Sequence, residues 1–124
     1  MVLLISSISY AIMPPIQTSD DNAIRKVKPG QEYMIMKDNA ISCKKLSQVK
    51  SIFNTHTDDD EIVLNTFRAG TDDGTINSLK LGDVVKIVRT ENYILGGESV
   101  PFYLQVTVNK NKEKVWICAI FIMF

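Results

Sequence analysis

Few residues in this chain have the types and spacing that chemistry needs. There is one His and there are two Cys. His56 sits in a polar stretch, Asn54-Thr55-His56-Thr57. A thiol nucleophile needs a base within hydrogen-bond reach. Neither Cys43 nor Cys118 lies in a sequence context that suggests activation. Zinc takes three or four Cys and His ligands at short spacings, which two Cys and one His do not provide. The acidic run Asp58-Asp59-Asp60-Glu61 lacks the alternating oxygens, the Gly and the distant Glu of a calcium loop. It suits the start of a helix instead, where carboxylates accept free N–H groups and complement the dipole. Asp72-Asp73-Gly74 reads as a turn. Gly96-Gly97 has no Lys-Ser or Lys-Thr after it, so no phosphate loop is expected. No pair of carboxylates is set apart as flanking a cleft for glycoside hydrolysis. The expectation is therefore a protein with no catalytic residue, no metal and no cofactor. Trp116 and Tyr103 are what remain as binding candidates, because a large apolar ring with a polar rim suits a contact hot spot. The competing role for Trp116 is packing inside the fold.

The two Cys also bear on compartment. An even number suits one bridge in an oxidising environment, and Cys43–Cys118 is the only intrachain pair available. Closing so long a loop would stabilise the fold by about 3–5 kcal/mol in the chain-entropy model. The alternative is two buried thiols acting as small core residues. Residues 2–13, VLLISSISYAIM, form an uncharged apolar run of 12 residues. A bilayer-spanning helix needs about 20. The run fits the core of a secretory signal, with Ser9 and Ala11 as small residues before a cut after Ala11. Pro14 and Pro15 then stop a helix. No Lys or Arg precedes the run, and a buried apolar strand is the competing assignment. Residues 1–11 are thus expected to be a signal segment, 12–30 a polar arm and 31–124 one domain, in the periplasm or secreted.

The elements follow from periodicity. Residues 32–37 (EYMIMK) make a short strand with Tyr33 and Ile35 on one face. After the turn at Asp38-Asn39, residues 40–43 resume an extended course. Leu46, Val49, Ile52 and Phe53 fall on one face of a helix that stops near Asn54. A second helix begins at a Thr57 or Asp58 cap, turns Val63, Leu64 and Phe67 inward, and ends at Gly70. Past Gly74 the period becomes two. Leu79 and Leu81 alternate with polar residues, and residues 84–89 (VVKIVR) are a strong strand. Residues 91–99 read as a loop. Phe102, Leu104, Val106 and Val108 then alternate toward a core, and a turn at residues 109–112 leads to a returning strand through Trp116.

Lys plus Arg and Asp plus Glu are 14 each, for a net charge of zero, and 45% of residues are hydrophobic. That excludes a disordered chain. It also argues against nucleic acid as a partner, since phosphate neutralisation requires a basic face. The chain is long enough for one core and too short for two.

Several blocks resemble bacterial SH3-like barrels: Leu79-Lys80-Leu81-Gly82-Asp83-Val84-Val85-Lys86-Ile87, the strand from Phe102 to Val108, and Val115-Trp116-Ile117. Ala40-Ile41-Ser42-Cys43-Lys44-Lys45-Leu46 before a short helix resembles small exported members in which two helices interrupt the barrel. The resemblance spans residues 31–120. It implies a mainly-β fold, a small SH3-like barrel of about five strands with two short helices inserted after the first. It departs from the pattern at Lys44 or Lys45, where a Ser or Thr cap is usual, in having no second Cys just after the second helix, and in its apolar tail, Ile120-Phe121-Ile122-Met123-Phe124. The implied function is a non-enzymatic binding or interaction module of the cell envelope, with a protein or peptidoglycan-derived partner. Two other classes fit a small barrel: a nucleic-acid binder using Lys80, Lys86, Lys110, Lys112 and Lys114, and a secreted inhibitor acting through residues 91–101.

Overall fold

The computed structural model describes residues 12–13, 24–53, 60–95 and 97–123. The expected signal segment, Asn54, His56, and the cap at Thr57 or Asp58 lie outside the described residues. The fold is mainly β. Among the described residues seven strands form one sheet: β1 (Ile12–Met13), β2 (Glu32–Met34), β3 (Ala40–Cys43), β4 (Ile76–Leu79), β5 (Val84–Leu95), β6 (Glu98–Val108) and β7 (Lys114–Cys118). Their order is β1-β2-β5-β6-β7-β3-β4. All neighbours are antiparallel except β1 and β2. Helices α1 (Leu46–Phe53) and α2 (Asp60–Asp73) are inserted between β3 and β4.

Two corrections concern the sheet. It is open, with β1 and β4 at its two edges, rather than a closed barrel of about five strands. Residues 91–99 are not a loop, because β5 and β6 run on to the pair Leu95–Glu98. Gly97, at φ +83°, turns the chain there in a conformation that favours Gly. Register shifts at Ile87/Arg89 and at Glu91/Asn92 bend this long ribbon.

Alternation then divides the side chains. Val85, Ile87, Leu104, Val106, Val108, Val115 and Ile117 are at most 5% exposed and form the main core. Ile24 and Val27 join that core from before β2. The apolar tail folds back onto its own chain in a 3-10 turn, Ala119–Ile122. There Phe121 accepts a backbone bond from Met36 and sets its ring edge-on to Phe53 at 5.6 Å.

Side chains anchor the start of α1 and the end of α2. At the start of α1 the missing Ser or Thr cap is replaced by Gln48, whose Oε1 accepts the Lys45 N–H at 3.1 Å, one half of a capping box. Gln48 Nε2 also donates to Thr75 Oγ1, which donates to Asp73 Oδ1. This chain ties the entry of α1 to the exit of α2. The stop of α2 is Gly74 at φ +79°, not Gly70. Thr75 N–H donates to Gly70 O at 2.9 Å, the six-to-one bond of a Schellman ending. Gly70 is instead buried inside the helix, where a Cβ would lie 3.0 Å from Ile76 Cβ and closer still to its Cγ1 and Cδ1. We expect Gly70→Ala to destabilise by about 1–2 kcal/mol, overpacking outweighing the gain in helix propensity. Thermal unfolding of the variant measures this, and a variant at or above wild-type stability would place α2 farther from β4.

The inward stripe of α2 is Val63, Thr66 and Gly70, spaced i, i+3 and i+7, and half-buried to buried. That rotation carries Leu64 and Phe67 outward, to 53% and 39% exposure, contrary to the expected packing of both. Val49 of α1 is fully buried as expected.

Candidate functional site

The register brings Trp116 and Tyr103 onto one face of the sheet. Tyr103 lies opposite Cys118, Trp116 opposite Gln105, and Cys43 opposite Trp116. This is the face that α1 covers. Lys50 of α1 stands over the Tyr103 ring at 5.9 Å and pairs with Glu91 at 3.6 Å. Arg89 lies over the Trp116 ring at 5.3 Å. Tyr103 also packs edge-on against Tyr93 and Phe102. Trp116 and Tyr103 are 3% and 2% exposed, so neither ring presents a free face to solvent.

Cys43 and Cys118 share that face and are free, buried thiols. The register explains why they are not bridged. Cys118 lies two residues beyond Trp116, the partner of Cys43, which makes the two Cys diagonal neighbours. Diagonal Cα atoms are about 7–8 Å apart, beyond the usual reach of a disulfide. Burial pushes the Cys43 thiol up to about 11 and the Cys118 thiol up to about 12. Both stay protonated at neutral pH, which makes them poor nucleophiles. Burial raises Tyr33 and Tyr103 as well. An acid whose folded pKa is raised contributes stability that is complete below its unfolded pKa and is lost as pH rises through the folded value. Stability should therefore fall as pH climbs from about 9 toward 12. Urea titrations across that range measure the slope; constant stability would mean the thiols reach solvent.

An open cleft lies elsewhere, between α2 and the β3–β4 edge. Its volume is about 400 Å³. Ile41 of β3 and Ile76 of β4 give it an apolar floor, Phe67 and Thr71 of α2 form one wall, and Asn39 and Ser78 form its polar rim. Asn77 also lines it and donates its Nδ2 to Gly74 O at 3.1 Å. Thr71 Oγ1 donates to Phe67 O, which ties the hydroxyl to its own helix. Among the described residues none that lines the cleft is charged. Phe67 and Thr71 are i, i+4 neighbours, so one helix face supplies the wall. Among the described residues no group of three or more His, Cys, Asp and Glu gathers as a metal site.

None of the cleft residues was selected by sequence reasoning as a binding candidate. The available signal was the Leu64–Phe67 spacing beside Val63, which fits an inward and an outward stripe equally well.

The Lys residues named for nucleic acid are exposed, and Lys86 and Lys114 both neighbour Thr107 across the strands. Glu32 opposes Lys86, and Asp83 holds Lys110 at 3.0 Å, so acidic groups offset this face. No described helix is long and apolar enough to cross a membrane. Comparison with protein-family models, curated proteins and solved structures finds no match to this chain.

Proposed function

We propose that this chain is a non-enzymatic, exported interaction module of the bacterial cell envelope, akin to SH3-like domains, that holds a segment of a partner protein in the cleft between α2 and β4. The observation that carries this reading is the exposure of Leu64 and Phe67 beside the cleft, an apolar surface on a helix whose inward face is already used. An uncharged lining favours a neutral protein segment over a peptidoglycan fragment, whose carboxylates would find no counter-charge there. Protonated, buried thiols support the absence of Cys catalysis. The apolar run 2–13 supports export, and the likeness to SH3-like domains rests on the sequence blocks alone, of which Leu81-Gly82-Asp83 forms a tight turn. Gly82 takes φ +94°, and Asp83 accepts the Lys80 N–H at 2.9 Å. The test is retention from an envelope extract on immobilised wild type, Phe67→Asp and Ile94→Asp. Ile94 is exposed at the distant hairpin tip. Retention by wild type and Ile94→Asp with loss on Phe67→Asp is the expected result. Equal retention by all three would place the partner elsewhere.

A further inference from the structure

Resting on the cleft reading, we infer that the partner segment binds as an added β-strand on β4, as a short, extended, uncharged stretch with an aliphatic side chain at every second position. The hydrogen-bond phase of β3 and β4 carries this. Lys44 N–H donates to Thr75 O at 2.9 Å, and these two residues continue the register one step past the last pair, Cys43–Ile76. Bonded pairs recur at every second residue of an antiparallel ladder, so Ser42–Asn77 and Ala40–Leu79 are bonded pairs. Cys43–Ile76 and Ile41–Ser78 are the intervening pairs, whose main-chain groups point away from each other. Those of Cys43 point to β7, in agreement with its pairing to Trp116. Those of Ile76 and Ser78 point outward over an edge where, among the described residues, the sheet order ends. An extended backbone is the ligand that matches two donors and two acceptors in that alternation.

The side chains agree with the same occupant. Ile76, Ser78 and Ile41 share the sheet face that the cleft opens on, beneath Phe67 of α2. A strand laid along β4 sends every second side chain to that face, about 7 Å apart. One aliphatic group then reaches the floor made by Ile41 and Ile76, and the next meets Phe67 and Leu64. A charged group there would lose its hydration without gaining a partner from the described lining, which carries no charge. With four residues in β4, the added strand is short.

The probe is a library of acetylated, amidated heptapeptides with Val, Ile or Leu at alternate positions and Ser or Thr between them. Binding to the whole chain is followed by amide NMR, and the best peptide is then N-methylated in each of its two alternating registers. The protein is unchanged in this comparison, so folding does not confound it. Strand addition predicts slowed amide exchange at Ile76 and Ser78. It also predicts at least about a tenfold loss of affinity when the amides facing β4 are methylated, and a much smaller loss in the other register. Binding that perturbs Phe67 and Ile41 with no difference between registers overturns strand addition and leaves the cleft reading standing. Absence of any binding member also overturns it, and the cleft reading then stands or falls on the separate Phe67→Asp retention result.

Discussion

Replacing Trp116 with Ala is expected to lower unfolding stability by about 3–5 kcal/mol, as for a buried aromatic removed from a core. The ring is 3% exposed and lies on the sheet face beneath α1, so its removal opens a cavity that neighbouring strands limit in closing. Val115 and Ile117, its neighbours in β7, point to the opposite face and pack there at 5% and 0% exposure. The strand is therefore buried on both sides and has little freedom to rotate into the gap. Arg89→Ala, which removes the cation above the ring, should cost about 1 kcal/mol. Urea unfolding of both variants tests the contrast. A Trp116→Ala loss below about 1 kcal/mol would show that the ring packs loosely and would return it to the set of ligand-binding candidates.

The double change Leu64→Asp with Phe67→Asp should behave in the opposite way. Leu64 is 53% and Phe67 39% exposed on α2, so the double change should cost no more than about 1–2 kcal/mol of stability. Partner affinity should fall by about a hundredfold, because two apolar contacts are lost and a carboxylate replaces the Phe67 wall of the cleft, with a second one turn away at position 64. Thermal melts and retention assays on the same preparation separate the two effects. A folded double variant that keeps its partner contradicts the assignment of the cleft. A variant that unfolds shows that Leu64 and Phe67 belong to the core.

The difference between Trp116 and Phe67 shows where sequence reasoning reaches. The alternation Val115-Trp116-Ile117-Cys118 was enough to put Trp116 on the face opposite the aliphatic core. The strands with clean period two, the position of the two helices and the turn at residues 109–112 were legible for the same reason: each depends on local spacing. Phe67 was misread because a helical wheel gives the angle between residues but not which side meets the sheet. Gly70 decided that side through its contact with Ile76, six residues later in the chain and on another element. Gly97 and Pro101 look like breakers over residues 91–101, yet a turn at Gly97 and one bulge absorb them and leave the strands paired. The cleft was invisible because Ile41, Phe67 and Ile76 come from three elements with no shared periodicity. The free edge of β4 depends on the order of the whole sheet.

Cross-linking through the cleft wall tests the central claim most directly. A benzophenone side chain at position 71 lies in the cleft, and one at position 112 lies in the exposed turn between β6 and β7. Irradiated in the envelope fraction of the native host, position 71 should give one dominant protein adduct that disappears when Phe67→Asp is added, and position 112 should give none. The same adduct from both positions, or an adduct at position 71 that survives Phe67→Asp, would contradict a partner held between α2 and β4.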